Sequence, residues 1–239
     1  MARTDESAGS VVSIRGLQYR WPGTRGFALS VPSFEIEPGE RLFLSGPSGS
    51  GKSTLLSLLA GVLVPQSGNI TILGTDLSRL STSGRDHFRV DHIGFVFQQF
   101  NLVPYLSVRE NILLPCWFSP LRSERTLESY STLERAVDVL LDRLALDPSL
   151  ARERVTRLSV GQQQRVAVAR ALIGRPELIV ADEPASALDS ERQAAFIDLL
   201  LEQCHATGAT LLFVSHDERL AGHFTRHVHM NDIVAGEYR

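Results

Sequence analysis

The chain is almost without lysine. Lys52 is the one lysine among 24 Lys and Arg residues, so generic surface cations here are guanidinium groups, and the single compact ammonium marks a position to inspect. Cysteine is also scarce. Cys116 and Cys204 stand far apart with neither metal-ligand nor redox spacing, which argues against a disulfide framework and for isolated thiols in a reducing compartment. No long hydrophobic run occurs: the richest window, Leu55 to Val64, is interrupted by Ser57 and Gly61 and falls short of the roughly 20 apolar residues a membrane span needs. The opening MARTDESAGS has no apolar signal-peptide core, so a cytoplasmic location is expected, with any work at a membrane done through a partner. A net charge of -3 and a pI near 6.2 leave no basic footprint, and no nucleic-acid partner is expected. Repeats, heptad runs and low-complexity tracts are missing as well. What remains, 239 residues with 43% apolar content, suits one large soluble domain or two modest lobes.

What is present centres on Lys52. Gly46-Pro47-Ser48-Gly49-Ser50-Gly51-Lys52-Ser53-Thr54 fits the phosphate-binding pattern GxxxxGK[ST]. A flexible Gly/Ser-rich turn is the alternative, and the flanks decide against it. The apolar run RLFLS predicts a short strand entering the loop, and LLSLLAGVL predicts a helix leaving it and stopping near Gly61 and Pro65. Strand, glycine loop, helix aims the free N–H groups of a helix N-terminus at phosphate.

Residues 11–17 and 29–36 read as antiparallel strands joined by a Gly/Pro-rich turn, with Tyr19 and Trp21 between them. ITIL (70–73) and HIGFVF (92–97) read as further strands. From about Phe100 to Leu172 the character is helical: FNLVPYLSVRENILLPCWF, the polar stretch SPLRSERTLESYS, and an amphipathic helix with Leu133, Val137, Leu140, Leu141 and Leu144 at helical spacing. Parallel-sheet signals resume with LIVAD (178–182), the helix ERQAAFIDLLLEQC ending near Gly208, the strand TLLFVS, and a closing helix and strand through HVHM. The expected fold is α/β: a P-loop NTPase core with a mainly parallel sheet, an N-terminal antiparallel β subdomain, and an inserted α-helical subdomain. As one domain, the core and β subdomain take about 1–99 and 173–239, and the helical part about 100–172.

Four apolar residues, Leu178 to Ala181, deliver Asp182 and Glu183 to the carboxyl end of a buried strand, where a doubly wound sheet builds its site. Asp182 is suited to hold Mg²⁺ alongside the Ser53 hydroxyl, and Glu183 to orient and deprotonate an attacking water. Leu158-Ser159-Val160-Gly161-Gln162 precedes a helix of small residues; alone it reads as an ordinary N-cap.

Together these motifs resemble a known family. Gly46 to Thr54 looks like Walker A, Gln98 after Phe97 like the Q-loop, Leu158 to Gln162 like the LSGGQ signature, and Leu178 to Glu183 like Walker B. Ser186-Ala187-Leu188-Asp189 resembles the D-loop, and His216 the switch histidine. All six keep the family's order, and the resemblance runs from about residue 11 to 230. The chain is identified as resembling the ATP-binding subunit of an ABC transporter; QQRVAVARAL and FNLVP look most like the branch serving macrolide-export and lipoprotein-release permeases. The resemblance implies ATP and Mg²⁺ as cofactors and a head-to-tail pair of cassettes. Gly46, Ser48, Gly49, Ser50, Gly51, Lys52, Ser53 and Thr54 then hold the phosphates. Ser159, Gly161 and Gln162 of a second copy close over them, Gln98 reaches the metal and water, His216 contacts the γ-phosphate, and Asp189 lines the seam. Trp21 is the first choice for stacking on adenine and Tyr19 the second, although either could be core.

Val160 departs from the signature's usual glycine, so the loop there must run with ordinary dihedrals. His227 and His229 share a strand face with His223 nearby, and a half-exposed terminal strand is preferred to a metal site because no carboxylate or cysteine stands at ligand spacing. The Phe100–Phe118 segment is expected to pack the helical lobe in part and to contact a membrane permease in part. The implied function is an ATPase powering a separate permease from the inner face of the cell membrane. A cassette driving mechanical signalling without transport stays open. A soluble ABC ATPase acting on ribosomes or nucleic acid fits less well, since the chain carries one cassette and no coiled coil. A small-molecule kinase leaves Leu158–Gln162 and His216 without a role.

Overall fold

The computed structural model describes residues 9–23, 28–186 and 188–235. Two sheets organise it. In the first, β1 (Val12–Arg20) pairs antiparallel with β2 (Ala28–Ile36) on one side and with β4 (Ser67–Ile72) on the other, and β4 carries the short β5 (Thr75–Asp76). The expected β1–β2 turn falls largely on residues 24–27, outside the described residues. In the second, five strands run parallel in the order β6 (Ile93–Val96), β7 (Leu178–Asp182), β8 (Thr210–Val214), β3 (Arg41–Ser45), β9 (Arg226–His229).

The pleat sorts the parallel strands between two interiors. Leu42, Leu44, Leu178, Val180, Leu212 and Val214 face the antiparallel sheet and α1 (Lys52–Leu59). Phe43, Ile179, Ala181, Leu211 and Phe213 face the other way. There they join α3 (Val108–Phe118), α5 (Leu133–Arg143), α6 (Val160–Leu172) and α7 (Ser190–Thr207). Burial on both faces explains the unbroken apolar runs of β7 and β8, each such side chain contributing about 1.5–3 kcal/mol. The apolar interior of the helical segment is therefore continuous with one face of the sheet.

Two elements differ from the sequence reading. The strand expected from His92 begins at Ile93, because His92 is the last residue of α2 (Thr82–His92), a helix with no fully buried residue and hence little apolar periodicity. The polar stretch after Phe118 is α4 (Pro120–Tyr130), with Ser119 as N-cap and Pro120 in its first turn. Its inward anchor is an arginine, Arg122, at 1% exposure, which an apolar count overlooks. The short α8 (Met230–Ile233) closes the described chain. Within it, Met230 packs beneath the glycine loop: a Cβ on Gly46, whose φ is 155°, would lie 2.8 Å from the Met230 Cβ.

Candidate active site

The parallel strands end together at one edge, and the loops leaving β3, β6, β7 and β8 form a cleft of about 810 Å³ there. Trp21, Lys52, Gln98, Asp182, Glu183 and His216 line it with the glycine loop. Gly49 and Gly51 hold φ values of 82° and 95°, which let the backbone curl back on itself. Gly51 is the N-cap of α1, and no side chain among the described residues caps that helix. Its leading N–H groups thus face the cleft at the positive end of the helix dipole. Lys52 folds over the same loop, its Nζ donating to the carbonyls of Gly46 at 2.6 Å and Pro47 at 2.9 Å.

Asp182 and Glu183 stand where β7 ends. Burial raises the Asp182 pKa and the neighbouring Glu183 charge adds to the rise, while Lys52 opposes it. Glu183 has φ 48°, a left-handed conformation that a non-glycine residue keeps only when its surroundings hold it. They do so here. The Glu183 N–H donates to Val214 O at 2.9 Å; its Oε1 accepts from the His216 N–H at 3.0 Å and lies 2.8 Å from His216 Nδ1, and its Oε2 accepts from Ser215 Oγ at 3.3 Å. The buried Ser215 hydroxyl also accepts the Asp217 N–H at 3.1 Å, which leaves its own proton for Glu183. Ser215 and His216 thus fix the orientation of the Glu183 carboxylate in a cleft that solvent reaches.

Trp21 and Tyr19 separate clearly. Tyr19 is buried at 5% exposure in the core beneath the antiparallel sheet, so it presents no face to a ligand. Trp21 is 42% exposed at the cleft, with its ring edge-on to Tyr19 at 5.4 Å. Of the two stacking candidates, Trp21 is the one that lines the cleft.

Ser159, Gly161, Gln162 and Asp189 do not enter this cleft. They line a second one of about 690 Å³ with Val160, on another surface of the same chain. Ser159 caps α6 in a reciprocal capping box with Gln162, and Val160 is the first helical residue, 52% exposed and without positive φ. Valine fits there because the position needs no glycine dihedral, as the sequence reading required. Asp189 caps α7 and pairs with Arg192 at 3.3 Å. Ala187, within the proposed D-loop, lies outside the described residues.

The three histidines take other partners. His223 Nδ1 lies 3.0 Å from Asp198 Oδ1, His227 Nε2 lies 2.8 Å from Ser45 Oγ, and His229 Nε2 lies 3.9 Å from Glu218 Oε1. Among the described residues no cluster of three or more His, Cys, Asp or Glu is placed to hold a metal ion.

Sequence reasoning missed three supporting groups: Ser215, Gln164 and Arg170. Gln164, almost fully buried in α6, donates to Pro184 O at 2.6 Å and so fixes the loop after Glu183. Arg170 donates to the carbonyls of Phe100 and Asn101, just beyond Gln98. Polar side chains within otherwise apolar or small-residue elements were the available signal.

The family model described as ABC transporter matches residues 29–186. The chain belongs to the ABC transporter family. As an ABC ATP-binding domain it binds and hydrolyses ATP. It is 41% identical over 214 residues to an uncharacterized ABC transporter ATP-binding protein of Mycobacterium tuberculosis, covering 89% of this chain and 82% of that protein. With the ABC transporter ATP-binding protein YtrE of Bacillus subtilis it shares 38% identity over 215 residues, covering 87% and 89%. It also matches part of a macrolide export ATP-binding/permease protein, MacB of Burkholderia pseudomallei, at 40% identity over 84% of this chain but 29% of that protein. Among solved structures, a dimeric bacterial ABC transporter cassette aligns with a TM-score of 0.72 and 32% identity, covering 91% of this chain and 93% of that one. A dimeric cassette in a post-hydrolysis state with ADP and Pi aligns with a TM-score of 0.71 at 33% identity.

Proposed function

We propose that this ABC ATPase works as a head-to-tail pair of identical chains that drives a separate membrane permease, with ATP bound between the two copies. The observation carrying this reading is the division of the motifs. Lys52, Asp182, Glu183, Gln98 and His216 share one cleft, whereas Ser159, Gly161 and Asp189 share another. A second copy brings the missing half to each nucleotide, and the dimeric state of the solved relatives supports it.

In this reading the glycine loop and Lys52 hold the phosphates, and Trp21 stacks on adenine. Glu183 takes the proton of the attacking water while Ser215 and the His216 N–H hold it in place. His216 releases the Glu183 carboxylate and turns to the γ-phosphate. Catalysis of this kind is positioning and electrostatics. The donor set fits Mg²⁺: Asp182 carboxylate, Ser53 hydroxyl and Gln98 amide are hard oxygen ligands, and Asp182 is a half-buried acid beside another acid, where a cation relieves repulsion. Bound there, Mg²⁺ supplies charge neutralisation at the phosphates.

Within Phe100–Phe118, Phe100, Val108, Ile112, Leu113 and Cys116 are buried, while Tyr105, Trp117 and Phe118 are 75%, 51% and 68% exposed. Phe118 borders a groove of about 490 Å³ between α2, β6 and α3. We assign this surface to the permease. No helix among the described residues is long and apolar enough to cross a membrane, so membrane attachment in this reading comes from that contact. We retain the division into a core and a helical subdomain at about residues 100 and 172 because α3, α4, α5 and α6 lie between those bounds and the named strands lie outside them.

Light scattering of the Glu183→Gln protein with ATP tests the pairing. Doubled mass is expected, and adding Ser159→Arg should return it to monomer while each chain still binds ATP at its own Lys52 cleft, with the affinity lowered by the lost coupling to dimerisation. A dimer that persists with Ser159→Arg would reject the trans arrangement.

A further inference from the structure

Gln98 leaves β6 on a segment whose backbone is unusual. Phe100 and Asn101, consecutive and neither of them glycine, have φ values of 58° and 48°, a conformation that ordinary residues keep only when neighbours impose it. The Phe100 N–H donates to Phe97 O at 3.0 Å and the Asn101 N–H to Gln99 O at 2.6 Å, so Gln98 sits inside the first of two tight, overlapping turns. What clamps those turns comes from another element. Arg170, in α6, donates from Nη2 to Phe100 O at 2.6 Å and from Nη1 to Asn101 O at 2.7 Å. Both are charge-assisted bonds made by one planar fork, so they fix the direction as well as the position of the segment. The Phe100 ring, 8% exposed, is anchored in the same core as α6.

We propose that Arg170 is a positioning residue for Gln98, and that it ties the position of Gln98 to the helix whose opposite end carries Ser159. α6 spans Val160–Leu172, so at 1.5 Å per residue the Ser159 cap and Arg170 lie about 16 Å apart on one rigid rod. Between them Gln164 grips Pro184 O at 2.6 Å, next to Glu183. One helix thus touches the loop of Gln98, the loop of Glu183, and the end presented to a second copy. The inference rests on the reading of Gln98 as a group that acts at the bound nucleotide.

A double-mutant cycle tests it. The steady-state kcat and KM, the ATP Kd and the Tm are measured for the unmodified chain, Gln98→Ala, Arg170→Met and the double variant. Arg170→Met is expected to lower kcat by about 10- to 100-fold, as a small misplacement of a catalytic group does. The ATP Kd should stay within about twofold, and the double variant should be no slower than Gln98→Ala alone, because both changes remove the same contribution. Arg170→Lys should recover part of the loss, since one ammonium does not reproduce the fork. If Arg170→Met does not fold, Arg170→Gln takes its place in the cycle. Multiplying losses in the double variant, or an unchanged kcat in Arg170→Met, would overturn the proposal. An unchanged kcat in Gln98→Ala would instead reject the reading of Gln98 at the nucleotide.

Discussion

Replacing Arg122 with methionine removes the fastening between the helical segment and the parallel sheet. Arg122 is 1% exposed, and its guanidinium donates to Ile93 O at 2.8 Å, Ile173 O at 3.1 Å, and Ala171 O and Asp91 O at 3.4 Å each. Burial pulls its pKa down to about 10, with Cys116, Glu177 and Asp91 opposing the fall. That shift corresponds to a cost of about 3 kcal/mol for keeping the charge inside, which the carbonyl bonds must offset. Methionine removes this cost but strands the acceptors. Two good charge-assisted bonds at about 1.5–3 kcal/mol each, plus orphaned carbonyls at α6's end, predict a net loss of about 3–5 kcal/mol. Against a total stability of about 5–15 kcal/mol, that is a large fraction. Urea unfolding followed by far-UV circular dichroism measures it, and Arg122→Lys should recover roughly half, since an ammonium on a shorter reach meets fewer carbonyls. A change below about 1 kcal/mol in Arg122→Met would refute the reasoning, because neutral substitution at a buried site means the bonds contribute no net stability.

Two further outcomes follow from individual side chains. Burial alone would raise the Glu177 pKa, but hydrogen bonds from His92 and Arg125 bring it down to about 2. A depressed acid contributes stability that is complete above its ordinary value of 4.5 and is lost as pH falls toward 2. Glu177→Gln should therefore flatten the decline in Tm between about pH 5 and 3, and parallel curves for the two proteins would contradict it. Trp21→Ala should weaken ATP binding by about 1–3 kcal/mol, the usual value of stacking one base on an aromatic ring, while Tyr19→Phe should leave the Kd unchanged; equal losses in a calorimetric titration would return Tyr19 to the site.

Much of the architecture was legible because it is written in periodicity and spacing. The apolar runs Leu178–Ala181 and Leu211–Val214 are buried on both faces of a sheet and so leave no alternation to misread. The glycine loop was legible because its chemistry dictates its residues. Less visible were elements whose inward contacts are polar. α2 buries no side chain fully, and α4 is fastened by Arg122, so neither shows an apolar stripe. At the site, Glu183 was singled out from its place at the end of a buried strand and His216 from the family resemblance, while Ser215, Gln164 and Arg170 were not singled out. Their roles are hydrogen bonds to particular backbone or carboxylate atoms, set by tertiary contacts between residues 20 to 70 positions apart. The preference for Trp21 over Tyr19 likewise rests on their burial, 42% against 5% exposed, which the sequence does not show.

The most direct test of the account is a paired measurement on Glu183→Gln: equilibrium ATP binding and the rate of ATP hydrolysis. Ser215 and His216 hold the Glu183 carboxylate, whereas the hydrogen bonds of the Lys52 ammonium go to the glycine loop proposed to grip the phosphates. Binding should be at least as tight as in the unmodified chain, while hydrolysis falls by about 10²- to 10⁴-fold, the range of a lost general base. Hydrolysis at the unmodified rate would contradict the assignment of Glu183, and with it the mechanism built on this cleft.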